Sequence, residues 1–249
     1  MHCESFGSNN KETILLLHGG GLGPWNYRKV ASILSNDYHV VIPVLDGHAG
    51  CSDPFTSIQA NADRIIDFIN QQLGGSVLLM GGLSLGAQIL VEILARQPRI
   101  CRHALIESAL VYPMKLTGLL VRPMLNMSYG LISRKWFSRL QFAWLKMPPD
   151  LFDDYFRDTA KIHKESMIAF LESNAGFSLP PALSNSTADV HIFAGQREMS
   201  LMKRSAKALH KALPGSHLEF LQRLSHGQFS LSHPEAYADT LRRILSKNP

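Results

Sequence analysis

The most constraining stretch of the chain is 77–98. An apolar run, Val77 to Met80, meets Gly81-Gly82. A helical pattern then runs from Ala87 to Arg96, and Pro98 lies just past its end. A short apolar run stopped by glycines is the pattern of a buried strand, and a proline after a periodic segment marks a helix end. Only a tight turn, Gly82-Leu83-Ser84-Leu85-Gly86, is left between them. A serine at the apex of such a turn is held in a strained backbone conformation, and side chains at Gly82 or Gly86 would meet neighbouring backbone. Its hydroxyl then projects from the carboxyl edge of a sheet, where wound sheets bind ligands. Below it, a helix N-terminus offers free N–H groups and a positive dipole end. The five-residue pattern by itself is weak. Its flanks make Ser84 a candidate nucleophile, against the plainer alternative of an ordinary helix N-cap in a Gly-rich loop.

Around this stretch, apolar runs alternate with amphipathic ones. Thr13 to Leu17, Tyr38 to Leu45, His103 to Ile106, Val190 to Ala194 and Leu218 to Leu221 are expected strands. Pro24 to Leu34, Ser57 to Leu73, Leu201 to Leu213 and Ser232 to Leu245 are expected helices, the last opened by a Ser232/Glu235 capping box. This rhythm predicts an α/β fold, a wound and mostly parallel sheet covered on both faces. From 109 to 186 the rhythm stops. That stretch holds Met114, Leu119, Leu120, Met124 and Met127, then Trp136, Phe137, Phe142 and Trp144, with breaks expected at Pro113, Pro123, Pro148-Pro149 and Pro180-Pro181. The expected organisation is a core in two parts, 1–108 and 187–249, interrupted by a helical cap at 109–186. The cap's large apolar residues are expected mainly to glue it to the core, with some lining an apolar acyl or aromatic pocket.

A serine hydroxyl needs a base, and in this topology an acid and then a histidine should follow it in the chain. Among eleven histidines, His226 is favoured, because Leu224-Ser225-His226-Gly227 lies just past the last strand, at the carboxyl edge. His233 falls in a helix, and His210 and His217 look like surface residues. Glu198, in the loop after the strand 190–194, is the preferred acid to orient the imidazole. Glu107, at the end of the fourth strand, is the runner-up, and Asp189 precedes its strand at the wrong edge. His18-Gly19-Gly20-Gly21 follows the first strand. Its loop should supply one oxyanion N–H, from Gly20 ahead of Gly21, opposite that of Leu85. No GK[ST] or GxGxxG follows that strand, which disfavours a phosphate loop. The segment 46–53 holds Asp46, His48, Cys51 and Asp53, but without helical i, i+4 spacing, and no CxxC or HExxH occurs. A turn with a mostly solvated His48 is expected there, with neither metal nor cofactor.

The chain has 249 residues, enough for one large core. It carries a formal charge of +5, but its Lys and Arg residues are scattered and include only pairs such as Arg134-Lys135, which argues against nucleic-acid binding. Three cysteines provide no disulfide framework. The N-terminus lacks a signal-peptide profile, and no uncharged apolar run is long enough to span a membrane. The expectation is a cytoplasmic protein with a small-molecule substrate.

In its order of motifs the chain resembles the α/β-hydrolase superfamily. HGGG follows the first strand, DGHAGCSD the next, GLSLGA forms the elbow, and a Gly-x-x-acid loop and a late His-Gly follow. The resemblance covers all but 109–186 and is closest to small carboxylesterases and C–C hydrolases. It implies a triad of Ser84, Glu198 and His226, with Gly20 and Leu85 as oxyanion donors. The implied activity is cleavage of a carboxylic ester, thioester or lactone through an acyl-enzyme. C–C hydrolysis, acyl transfer and cyanohydrin lysis use the same groups, and some members serve as ligand-sensing receptors. The chain departs from this group in having glutamate where aspartate is usual, and in a short start that reduces the leading strands to about His2–Phe6.

Overall fold

The computed structural model describes residues 1–246. Its strands alternate their side chains between two apolar layers. Ile14 and Leu16 of β2 (Thr13–Leu17) face Val30 and Leu34 of α1 (Arg28–Leu34) and Leu241 of α10 (Pro234–Leu245). Leu15 and Leu17 face the opposite layer, with Ile65 and Ile69 of α2 (Ile58–Gln72) and Leu90 of α3 (Leu85–Arg96). Burial on both faces explains why these strands are continuously apolar rather than alternating.

The sheet has seven strands in the order β1-β3-β2-β4-β5-β6-β7. Besides β2 these are β1 (Cys3–Phe6), β3 (His39–Pro43), β4 (Val77–Leu83), β5 (Cys101–Glu107), β6 (Asp189–Gly195) and β7 (His217–Leu221). Only β1 is antiparallel, pairing Cys3 with Pro43 at the edge, and the other neighbours are parallel. From β2 the chain moves outward to β3 and then crosses back to lay β4 on the other side of β2. The order reverses between β2 and β4, so their carboxyl-end loops diverge over a crevice. Leu17 pairs with Gly82 at that point, which brings the His18–Gly21 loop beside the Ser84 turn.

Between β5 and β6 the described chain is helical: α4 (Lys115–Ile132), α5 (Lys135–Leu145), α6 (Phe152–Thr159) and α7 (Lys164–Gly176); α8 (Ser200–Ala212) joins β6 to β7. Pro123 does not break α4. Half-buried Leu125 and Tyr129, packed on the core beyond it, hold the helix together through the missing hydrogen bond. The expected role of the large apolar residues here is overturned for most of them. Phe142 is buried, but Leu119, Leu120, Met124, Met127, Trp136 and Trp144 face solvent.

Other expectations shift in detail. The helix after the elbow starts at Leu85, two residues early. The capping box at Ser232 does not form. Ser232 ends α9 (Gln228–Ser232), and α10 starts afresh at Pro234 with His233 as its N-cap. Proline has no N–H to lose and a preset φ, so it opens the new helix without a side-chain cap.

The inserted helices are tied to the core through Gln88, a fully buried residue of α3. Its Nε2 donates to the carbonyls of Leu110 (2.8 Å) and Asn174 (3.2 Å), and its Oε1 accepts from Asn174 Nδ2 (2.9 Å). Gln88→Leu keeps the volume but strands these partners. It is expected to lower unfolding free energy by about 1–3 kcal/mol in urea titrations, with unchanged helical content by circular dichroism.

Candidate active site

Ser84 sits between β4 and α3 with φ 53° and ψ −110°, a conformation that costs an L-residue on the order of 1–3 kcal/mol. The turn is that tight because α3 starts immediately. A Cβ on Gly82 would lie 2.6 Å from the Gly86 carbonyl oxygen, and one on Gly86 would strike the carbonyls of Leu17 and His18. The Ser84 N–H donates to the Glu107 carbonyl (2.9 Å), anchoring the turn to the end of β5.

The structure brings three expected side chains into one chain of contacts. Ser84 Oγ lies 3.1 Å from His226 Nε2, and His226 Nδ1 lies 3.0 Å from Glu198 Oε2. A carboxylate only accepts, so Nδ1 carries the imidazole proton and Nε2 is left to accept from the serine hydroxyl. The Glu198 side chain is almost completely buried, while that of His226 is 44% exposed. Burial raises the Glu198 pKa, but hydrogen bonding to His226, its charge, Ser108 and the Gly195 N–H outweigh burial and hold it below the ordinary carboxylate value. The other Glu198 oxygen accepts from Ser108 Oγ (2.7 Å) and the Gly195 N–H (2.6 Å).

The loops bearing the acid and the imidazole cross at Gly195. A Cβ there would lie 2.5 Å from the Leu224 carbonyl oxygen, and the Arg197 N–H donates to that oxygen at 2.9 Å. Ser108 was missed in the sequence. Its signal was its place directly after β5 at the carboxyl edge, and its φ of +57° turns it toward Glu198. Glu107, the runner-up acid, is not on His226. Its Oε1 accepts from the Phe229 and Ser230 N–H groups (3.2 and 3.4 Å) under the start of α9. Asp189 opens β6 at the opposite edge, bonded to His103 and His191.

The loop after β2 is pinned by residues of its own. The Gly19 N–H donates to Asn26 Oδ1 (3.2 Å), and the Gly21 carbonyl accepts from Thr159 Oγ1 (3.0 Å). His18 is buried; its Nδ1 donates to the Gly19 carbonyl and its Nε2 accepts from the Leu45 N–H. Burial, then the nearby His48, push its pKa down to about 3 despite the Gly19 bond, so it stays neutral. Gly20 faces Leu85 closely: a Cβ on Gly20 would stand 3.4 Å from the Leu85 Cβ. Leu85 is the first residue of α3, where N–H groups have no partner within the helix.

His48 is not solvated as expected but fully buried. Helix α7 covers it, with the Phe170 ring 4.9 Å away and Ser166 Oγ accepting the Phe55 N–H nearby. Among the described residues, two groups of side chains have metal-ligating atoms close together. In the first, Arg64 already bridges Asp46 (3.0 Å) and Asp53 (2.7 Å). In the second, Asp189, His191 and His217 lie at the sheet edge away from Ser84, and Asp189 Oδ2 already contacts His103 and His191.

A strained serine on a strand-to-helix elbow, facing a histidine and a buried acid at the switch point of a wound sheet, defines a class of hydrolase folds. Residues 14–240 match the model of the alpha/beta hydrolase family, and the chain belongs to that family. Among solved structures it is similar to an esterase from Exiguobacterium antarcticum (TM-score 0.84, 19% identity, covering 99% of this chain and 95% of that one). It is also similar to a thermophilic esterase from Thermogutta terrifontis (0.80, 17%, covering 99% and 93%). An enol-lactonase from Burkholderia xenovorans is comparable (0.78, 15%, covering 99% and 96%). A search of curated proteins finds no match.

Glu107 links this region to stability. Burial raises its pKa from 4.5 to about 7, against the hydrogen bonds from Ser230. Between those values the unfolded chain has lost the proton and the folded chain keeps it. The group's contribution is therefore complete below about pH 4.5 and is lost as pH rises through about 7. Glu107→Gln fixes the neutral form. It is expected to raise unfolding free energy above pH 7 by on the order of 3 kcal/mol, and to flatten this part of the pH dependence in denaturant titrations.

Proposed function

We propose that the chain is a serine hydrolase that cleaves carboxylic esters of small apolar substrates, lactones included, through an acyl-enzyme. The observation that carries this reading is the unbroken relay from Ser84 through His226 to buried Glu198. In the proposed reaction His226 Nε2 takes the hydroxyl proton as Ser84 Oγ bonds to the carbonyl carbon. Glu198 stabilises the resulting imidazolium. The N–H groups of Gly20 and Leu85 hold the oxyanion, a role supported by their close approach and by the helix end at Leu85. His226 returns the proton to the departing alkoxide. Water, deprotonated by His226, then attacks the acyl carbon, and collapse of that second intermediate releases the acid and restores the serine hydroxyl.

In this reading Ser108 and Gly195 are positioning residues for the acid, and Asn26 is one for the oxyanion loop. We further propose that 1–108 and 187–249 act as the catalytic core and that the cap, 109–186, governs which esters enter. The esterase and lactonase neighbours support acyl transfer to water as the reaction class.

A panel of nitrophenyl esters of increasing chain length and of lactones tests the reading. Ser84→Ala is expected to abolish turnover and fluorophosphonate labelling while keeping the wild-type unfolding midpoint; undiminished hydrolysis by the folded variant would refute the assignment. Glu198→Gln is expected to lower kcat by roughly 10³–10⁴-fold with little change in KM, because the imidazole loses the partner that fixes its tautomer. Glu198→Asp, which keeps the charge, is expected to recover part of that loss.

A further inference from the structure

Residues 109–149 contain six cationic side chains and no aspartate or glutamate. The rest of the chain carries 19 basic and 20 acidic residues, so this one segment accounts for the protein's net positive charge. The basic residues that look scattered along the chain meet no carboxylate from within this segment. The same segment holds nearly all the exposed large apolar residues among the described ones.

Helix α4 has two apolar sides. Val121, Leu125, Tyr129 and Ile132 turn inward. Leu116, Leu119, Leu120, Met124, Met127 and Leu131 turn outward, with Met127 90% and Leu119 76% exposed. Helix α5, which packs beside α4, also exposes an apolar row, Trp136, Leu140 and Trp144 at i, i+4 and i+8, Trp144 being 81% exposed. A surface helix normally keeps that side polar, and a contiguous apolar patch of this kind marks an interaction site. Arg122 pairs with Glu165 and Glu172, and Lys135 lies 4.0 Å from Asp153. Among the described residues no ion pair engages Lys115, Arg134, Arg139 or Lys146.

We propose that the outer face of α4 and α5 docks on the surface of an anionic lipid bilayer. Exposed Leu, Met and Trp tips on helices that also carry Lys and Arg suit the boundary between headgroups and acyl chains, where the tips enter the apolar layer and the cations meet phosphates. Helix α4 does not cross the bilayer, since no described helix is long and apolar enough to do so. It lies in the interface instead. A second copy of the chain is a poor occupant, because pairing this face with itself sets two acid-free cationic segments against each other. The apolar tips argue for a lipid surface over an acidic protein. A groove of about 780 Å³ along α4 is lined by Met114, Leu119, Pro123, Lys115 and Arg122, with Glu172 of α7 beside Arg122.

The test is flotation of the intact protein with vesicles, together with tryptophan emission. The chain has three tryptophans. Trp25 is buried, so a lipid-dependent blue shift reports on Trp136 and Trp144. Vesicles of phosphatidylcholine mixed with phosphatidylglycerol are expected to bind the protein and shift its emission. Vesicles of phosphatidylcholine alone should bind at least tenfold more weakly, and about 1 M NaCl, where screening acts within roughly 3 Å, should release the protein. Met127→Gln/Trp144→Gln alters only exposed side chains and is expected to weaken binding at least tenfold with an unchanged unfolding midpoint. Absence of flotation and of a blue shift with anionic vesicles would overturn the proposal. So would equal, salt-resistant binding to phosphatidylcholine. A lipid-free dimer lost in the double variant would assign the face to a second copy, and a blue shift with polyglutamate but not with vesicles would assign it to an acidic protein. Either result overturns the lipid assignment.

Discussion

The site depends on one close crossing, that of the first turn of α3 over the end of β2. Gly86 passes so near the Leu17 and His18 carbonyls that no Cβ fits between them. The crossing brings the start of α3 up against the sheet at the switch point, and the strained Ser84 follows from how abruptly β4 becomes helix. It also brings Gly20 against Leu85. The strain is supported on two sides, by the bond from Ser84 to Glu107 and by the seat of Gly86 on the Leu17 and His18 carbonyls. A strained turn persists only where its surroundings over-determine it, and these contacts do so.

The second constraint is the contact between the loops after β6 and β7. Gly195 lies against the Leu224 carbonyl, so the acid and imidazole loops share backbone contacts and their separation is set by main chain rather than by side-chain rotamers. This explains how a glutamate reaches His226 where the resembled group has aspartate. Glu198 lies three residues beyond the end of β6, and one of its oxygens turns back to the Gly195 N–H and to Ser108 while the other reaches His226. Its extra methylene is taken up by that folded-back path, and the hydrogen bonds keep the buried carboxylate charged against desolvation.

The elements that were legible in the sequence are those whose burial is symmetric. Strands covered on both faces appear as aliphatic runs, so β2, β4, β5 and β6 could be placed to within a few residues. The elbow was legible because glycine requirements and strand-to-helix transitions are local. Local patterns carry less about tertiary covering. His48 was expected in solvent because nothing near it in the chain reveals that Phe170, more than a hundred residues on, will roof it. Ser108 carries little local signal, because a serine after a strand is ordinary until the acid across from it is known. Ser232 and Glu235 had capping-box spacing, but Pro234 reset the helix start.

The inserted helices show the largest gap between pattern and structure, and the reason is physical. A Leu-, Met- and Trp-rich helix gives the same sequence signal whether its apolar side meets protein or nothing at all. In α4 both conditions hold at once: Val121 and Ile132 are buried, while Leu119 and Met127, in neighbouring turns, are exposed. Composition counts all these residues as core. What sets the whole stretch apart from the core helices is charge. Residues 109–149 lack carboxylates altogether, a bias that packing against the core does not require. The stretch then passes Lys146, whose carbonyl lies 3.4 Å from the Gln228 side-chain nitrogen, two residues beyond His226. One long contact therefore connects the end of α5 to the segment that carries His226.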